Sequence, residues 1–144
     1  MAVPPLGGTL AGGGMIKIET QLAVFLDNRP GVLARTCQAL ARAKINILAL
    51  SIVDAVDHAV VRMVVDKTPE AKKVLTELHQ VVQGREVVFM DVPNQPGAVA
   101  AIAERLAAAG INIEYSYCTG SPTQAAGAIV LRTNDLEATI NALS

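Results

Sequence analysis

The sequence predicts an α+β fold made of two copies of a βαββαβ unit, with antiparallel sheets and helices on one face. The first supporting observation is an internal repeat. Residues 27–50 align without a gap with residues 93–116 at an offset of 66, and ten of the 24 aligned pairs are identical. The second is the matching order of apolar strand and helix patterns in both copies. A period this long indicates a duplicated small domain rather than a solenoid repeat.

Each copy carries the same succession of periodic segments. In the helical segments, apolar side chains recur at i, i+3, i+4 and i+7. In the strand segments they alternate or form short apolar runs. The first copy has predicted strands over 21–26, 45–53 and 58–66, and predicted helices over 32–43 and from 68 onward. The second copy has predicted strands over 87–92, 111–118 and 127–133, and predicted helices over 98–109 and after 134. Gly110 should end its helix in the left-handed conformation, and Lys44 should be strained at the matching place.

The two copies differ at their fourth strand. The strand-like segment over 81–92 is too long for one ordinary strand. We expect it to hold a strand over 81–84 that ends the first copy, a bend at Gly84, and the first strand of the second copy. The second copy then lacks a fourth strand. We expect residues 15–20 to supply it, within the chain or across a dimer.

The predicted domain organisation follows from these segments. Residues 15–84 form the first repeat and residues 85–144 the second. Residues 1–14 contain Pro and Gly and no charged residue, which predicts a flexible tail without the basic start of a signal peptide.

The composition argues against several classes of function. Twelve basic and thirteen acidic residues leave a net charge of -1, and only four residues are aromatic. Binding to nucleic acid is therefore not expected, since it needs clustered basic residues or stacking platforms. No apolar run is long enough to span a membrane, so we expect a cytoplasmic protein. The two cysteines form no CxxC, and no metal or other cofactor is expected.

The loop that joins the first predicted strand to the first predicted helix is the candidate site. The first amides of a helix have no partner within the helix and attract anions. Gly31 would let a ligand approach the backbone, and Pro30 presets the turn. Asn28 can donate and accept hydrogen bonds, and Asp27 could receive an ammonium group. These groups suit a free amino acid, although a Pro-Gly turn can also serve only as a turn.

The second loop differs from the first at its charged positions. Asp27 is replaced by Pro93 and Arg29 by Gln95. We therefore expect two inequivalent sites, of which the first is better suited to a zwitterion.

The sequence resembles the ACT domain family at the same two motifs in each copy. The motifs are Asn28-Arg29-Pro30-Gly31-Val32-Leu33 with Ile45-Asn46-Ile47, and Asn94-Gln95-Pro96-Gly97 with Ile111-Asn112-Ile113. The resemblance covers about residues 16–143 and is that of a stand-alone tandem ACT protein. The first copy is also similar to the regulatory subunit of acetolactate synthase.

This resemblance implies a ferredoxin-like fold and regulation without catalysis. It implies a free amino acid bound between ACT units, a homodimer, and a metabolic enzyme as the regulated partner. The residues that would contact the ligand are Asp27, Asn28, Arg29, Pro30, Gly31, Val32, Leu33, Asn46, Ile47, Leu48, Asn94, Gln95, Pro96, Gly97, Ala98, Val99, Asn112 and Ile113.

Two other classes of function were weighed against a sensor. An enzyme is disfavoured because the only histidines, His58 and His79, lie near no arrangement of Ser or Cys that suggests a triad. The serious alternative is a protein–protein interaction module with no small ligand. Tyr115 and Tyr117 could then be interface anchors, although packing in the core or between repeats is the preferred interpretation.

Overall fold

The computed structural model describes residues 7–9 and 14–144. Its elements follow the predicted order, which confirms the fold class. They are β1 (Gly7–Thr9), β2 (Met15–Asp27), α1 (Val32–Arg42), β3 (Ile47–Ala55), β4 (His58–Val65), α2 (Thr68–Glu77), β5 (Val81–Pro93), α3 (Ala98–Ala108), β6 (Ile113–Thr119), β7 (Ala126–Thr133) and α4 (Leu136–Leu143). None of the helices in these ranges has the length and apolarity that a membrane crossing needs.

The chain folds into two compact units. The first unit is Thr20–Arg85, and the second is Glu86–Ser144 together with the described residues up to Glu19. In the first unit the strand order is β3-β4-β2-β5, with β2 and β4 antiparallel. One face of this sheet packs against α1 and α2. The resulting core contains Leu22, Val24, Leu26, Val32, Leu40, Ile45, Val61, Met63, Val65, Ala71 and Leu75.

The second unit repeats this arrangement with the order β2-β5-β7-β6. Its core packs α3 and α4 against one sheet face. That core contains Ile16, Val88, Met90, Val92, Ile102, Leu106, Ile111, Ile129, Leu131 and Leu143. Helices therefore cover one face of an antiparallel sheet in each unit, as the alternating apolar pattern predicts.

The first part of β2 belongs to the second unit. The backbone N–H of Met15 donates to Asp91 Oδ2 at 2.8 Å. Ile16 is fully buried in the core of the second unit. Lys17 Nζ lies 6.0 Å from the centroid of the Phe89 ring. The second unit therefore takes one of its four central strands from residues that precede the first unit in the chain.

Gly84 lies inside one continuous strand, where the sequence predicts two successive strands. β5 runs unbroken for 13 residues, as does β2 beside it. A Cβ atom at Gly84 would lie 3.3 Å from Thr20 Cγ2. The glycine therefore marks a close approach of neighbouring strands, which is the other common role of glycine within a strand.

The predicted tail is partly ordered. Gly7–Thr9 pair antiparallel with Met15–Lys17, where the sequence predicts a flexible tail. The edge of β2 that faces away from β5 is open at these residues, and its backbone groups accept a further strand. The rest of the predicted tail, except Gly14, lies outside the described residues.

The ends of α1 and α3 agree with the sequence. Gly110 has φ +71° and Lys44 has φ +59°, so both helices are followed by a left-handed residue as predicted. The next strands begin two residues later than predicted, at Ile47 and Ile113. The intervening side chains of Ile45 and Ile111 are buried among the helices instead of extending a strand.

Candidate functional site

Both loops between the first strand and the first helix of a repeat have the same backbone geometry. Gly31 and Gly97 precede α1 and α3 with φ values of +87° and +86°. A side chain is strained in this conformation, which explains the glycine in both copies. Neither residue can cap its helix with a side chain, and no side-chain cap bond is present. The first N–H of each helix is already used, because Val32 donates to the Arg29 carbonyl at 3.5 Å and Ala98 to the Gln95 carbonyl at 3.3 Å. The next amides of the first turn have no partner within the helix and can meet an anion.

The asparagine of each loop has a structural role. The Asn28 amide donates to Asp54 Oδ1 at 2.7 Å and to the Val56 carbonyl at 3.2 Å. These bonds fix the loop to the turn between β3 and β4. Asn94 donates in the same way to the carbonyls of Ser121 and Gln124, at 3.1 and 2.9 Å. The amide donors that were expected to meet a ligand are thus committed to the fold.

A groove with a volume of about 800 Å³ opens beside the loop of the first unit. We name it the first groove. Its floor comes from β2 and β4, and its other sides come from the start of α1, the end of α2 and the start of β5. The residues that line it are Phe25, Leu26, Asp27, Arg29, Val32, Arg35, Ala55, His58, Val60, Leu78, His79, Gln80, Val81 and Gln83.

The first groove combines an apolar wall with charged groups of both signs. Asp27 and Arg29 lie at its mouth as an ion pair, with Arg29 Nη2 3.3 Å from Asp27 Oδ2. Both side chains are more than 60% exposed, so solvent weakens this pair and a ligand could replace either partner. Asp27, which was expected to receive an ammonium group, therefore has an internal cation beside it.

One wall of the first groove contains a polar network that is incomplete. Gln80 Nε2 donates to Thr36 Oγ1 at 2.7 Å, and Thr36 in turn donates to the Val32 carbonyl at 3.0 Å. The Gln80 Oε1 atom is buried and has no hydrogen-bond partner. A buried acceptor without a donor costs about 1–3 kcal/mol, so this wall favours a donor brought by a water molecule or a ligand.

Only some of the predicted contact residues line the first groove. They are Asp27, Arg29 and Val32. Leu33 and Ile47 instead pack against the core of the first unit. The remaining predicted residues of the first copy, which are Asn28, Pro30, Gly31, Asn46 and Leu48, are not among the lining residues.

The backbone at the start of β3 explains why Asn46 is not in the groove. The backbone N–H of Asn46 donates to Asp66 Oδ1 at 2.9 Å. Asp66 follows β4, whose other end, at His58, is the one paired with Asp27 beside the loop. Asn112 is held by Asn134 in the second copy at 3.1 Å.

Sequence reasoning missed several lining residues. Arg35 lies one turn into α1, and a basic residue three positions after Val32 was a readable signal. His58 was assigned to the surface, and its position opposite Asp27 in the β2–β4 register depends on strand pairing. His79 and Gln80 follow α2, and only the tertiary fold brings them to the loop.

The second unit has a smaller groove of about 500 Å³ at the matching place, which we name the second groove. Its described lining residues are all uncharged. They are Val92, Pro93, Asn94, Gln95, Ala98, Val99, Cys118, Thr119, Gly120, Ser121, Pro122 and Gly127. Pro96 and Gly97 line a separate hollow of about 320 Å³. Asn112 and Ile113 line neither of these cavities, and Ile113 packs against the core of the second unit.

The His, Cys, Asp and Glu side chains of the described residues bear on metal binding and on thiol reactivity. Within residues 7–9 and 14–144, no group of three or more His, Cys, Asp or Glu side chains is placed to hold a metal ion. Both cysteines are free thiols, and burial raises the pKa of the Cys37 thiol, which lowers its thiolate fraction.

The sequence profile of a family described as an ACT domain pair matches residues 17–143. The chain belongs to the ACT domain pair family. Members of this family are typically regulatory modules that bind amino acids, which agrees with the resemblance seen in the sequence. No curated protein matches the sequence.

Solved structures with this fold include relatives of several kinds. A protein from Bacteroides thetaiotaomicron is 32% identical, with a TM-score of 0.81 over 88% of this chain and 86% of that chain. The ligand-free regulatory subunit of aspartate kinase from Thermus thermophilus is 18% identical, with a TM-score of 0.66 over 94% of this chain and 97% of that chain. The second of these likenesses concerns the fold alone.

Proposed function

We propose that this ACT domain pair is a non-catalytic regulatory protein that binds a free amino acid in the first groove. The observation that carries the proposal is the arrangement at the start of α1. There an uncapped helix N-terminus opens beside a groove that holds both an acid and free basic groups. A zwitterion needs this combination, because its two charges must be satisfied a few ångströms apart.

Each part of a bound amino acid has a counterpart in the first groove. The carboxylate would accept hydrogen bonds from the first-turn amides of α1. The ammonium group would pair with Asp27 and would replace the ion pair between Asp27 and Arg29. The side chain would lie against the apolar wall formed by Phe25 and Val60, which are opposite each other in the β2–β4 register.

Thermal unfolding in the presence of each of the twenty amino acids tests this proposal. A ligand at one hundred times its dissociation constant should stabilise the fold by about 2.7 kcal/mol, which raises the melting temperature by several degrees. Replacing Asp27 by Asn should weaken binding at least tenfold, because the ammonium group loses its counter-charge. The matched control is Asp57→Asn, an exposed acid outside the groove, which should bind as the parent does. The absence of a shift with every amino acid would overturn the proposal.

The alternative function, a protein–protein interaction module, is favoured by one specific observation. β3 lies at the edge of the first unit's sheet, and apolar residues along it and in the turn after it are exposed. Ile52 is 47% exposed, Val53 46% and Val56 88%. An apolar edge strand with open backbone groups is a surface for strand addition. The matching strand β6 has Ser116 and Cys118 in place of Leu50 and Ile52.

We propose a second copy of the chain as the partner at this edge, because two-fold symmetric dimers are the commonest closed assemblies. Replacing Ile52 by Lys should convert a dimer to a monomer, since a lysine would be buried in the apolar interface. Light scattering after size exclusion measures this change. Cys118→Lys on the matching position of β6 is the control and should leave the mass unchanged. A dimer that survives Ile52→Lys would place the interface elsewhere.

The regulated partner is proposed by family resemblance alone. A metabolic enzyme in the cytoplasm fits a protein that senses an amino acid. The similarity of the first repeat to the regulatory subunit of acetolactate synthase stays a prediction, as do the sites in the second unit.

A further inference from the structure

We infer that the first groove selects an amino acid with a second anionic group, of the dicarboxylic class, and that each chain binds one such molecule. This inference rests on the proposed function, because it names the class of amino acid that the same groove would take. It is carried by the charges that line the groove, by the ion pairs those charges already make, and by the contrast with the second groove.

The first groove has an excess of positive charge. Its lining contains two arginines and one acid, Asp27. The acid is already paired with Arg29 at 3.3 Å, so that these two charges offset each other. A neutral zwitterion that replaced the contact between Asp27 and Arg29 would leave the net charge of the groove and its ligand unchanged. A ligand with a net charge of -1 would bring it to neutrality.

Arg35 is the cation that remains. Its backbone N–H donates to the Gly31 carbonyl at 3.0 Å, which places it at the end of the first turn of α1. None of the ion pairs found among the described residues involves Arg35. The Arg35 guanidinium therefore has no carboxylate partner there. A guanidinium binds a carboxylate through two parallel hydrogen bonds, so this group suits a second carboxylate of a ligand.

The two histidines of the first groove act in the same direction. His58 lies opposite Asp27 in the β2–β4 register, and His79 lies two residues after the end of α2. A neutral imidazole offers an N–H donor, and a protonated one adds positive charge. Neither brings a negative charge that would oppose an anionic ligand.

The second groove lacks all of these groups. Pro93 stands for Asp27, Gln95 for Arg29 and Ala101 for Arg35 in the alignment of the repeats. An anionic ligand would enter this uncharged groove without any counter-charge. The stoichiometry is therefore one molecule per chain, although the chain has two repeats.

Isothermal titration calorimetry on the full chain tests the inference with matched pairs of ligands. L-Aspartate and L-glutamate are compared with L-asparagine and L-glutamine, which have nearly the same shape and no second charge. We expect at least one of the acids to bind ten times or more tightly than its amide, with one site per chain. The preference should weaken as salt is raised, since part of it is electrostatic.

Variants at Arg35 separate charge from shape. Arg35→Gln should reduce the acid-to-amide ratio to near one, and Arg35→Lys should retain a reduced preference because it keeps the charge without the fork. Arg42→Gln, in the last turn of α1 and outside the groove, is the control and should leave the ratio unchanged.

The outcomes distinguish this inference from the proposed function. Tighter binding of a neutral or basic amino acid would overturn the inference and leave the amino-acid sensor standing. Two equal sites per chain, or a preference that survives Arg35→Gln, would overturn it as well. No binding by any of the twenty amino acids would overturn both.

Discussion

Replacing Ile16 by Ala should lower the free energy of unfolding by about 2–5 kcal/mol, because it removes three methyl or methylene groups from a closed core. Ile16 is fully buried, and the core in which it lies belongs to the second unit. In the sequence this residue precedes the whole first unit, Thr20–Arg85. A large effect there would show that the start of β2 is a structural part of the second unit rather than the end of a tail.

Chemical denaturation measures the loss, and hydrogen exchange locates it. We expect amides of Glu86–Ser144 to lose protection more than those of Thr20–Arg85, because Ile16 is part of the core of the second unit. Lys17→Ala is the neighbouring control. Its half-exposed ion pair with Glu19 contributes at most about 1 kcal/mol. Equal losses in the two variants would contradict the placement of Ile16.

Leu40→Ala should also cost about 2–5 kcal/mol, with the effect confined to the first unit. Leu40 is fully buried on the inner face of α1, and Leu106 holds the same place on α3. The sequence repeat aligns the two residues, and both lie in the centre of their cores. Leu106→Ala should therefore give a loss of similar size that appears in the exchange of the second unit instead.

The two leucine variants and a surface variant form one set of measurements. Gln38→Ala on the exposed side of α1 should change the free energy of unfolding by less than about 0.5 kcal/mol. A small loss in only one of the leucine variants would mean that its core collapses around the cavity. The structural equivalence of the repeats would then not extend to their energetics.

Element order, helix faces and core residues could be predicted because they depend on local periodicity. The stripe that includes Leu40 and the left-handed residues Lys44 and Gly110 are set by spacing along one helix. The role of Gly84 could not be predicted, because local rules allow either a bend or a close approach. Only the neighbouring strand, through Thr20, decides between these two roles.

The candidate site was less predictable than the fold for the same physical reason. Asp27 and Arg29 belong to the loop itself and were found from the motif. Arg35, His58 and His79 reach the first groove from three further elements, and no local pattern connects them. Asn28 was expected to contact a ligand because its side-chain amide can donate hydrogen bonds. In the structure this amide donates to Asp54 and to the Val56 carbonyl, at the turn between β3 and β4.

The division of the chain between its two units has a consequence for synthesis on the ribosome. Thr20–Arg85 is one unbroken stretch, so the first unit can close as soon as those residues have emerged. Met15–Glu19 is made earlier, yet its neighbours in the second unit, Glu86–Ser144, are made only after the first unit. These five residues therefore lack the core of the second unit while Thr20–Arg85 is being translated, although β1 is already made. The nascent chain thus exposes the apolar side chain of Ile16 until Glu86–Ser144 have been made. A chaperone that recognises extended apolar segments would bind this part of β2 during that interval.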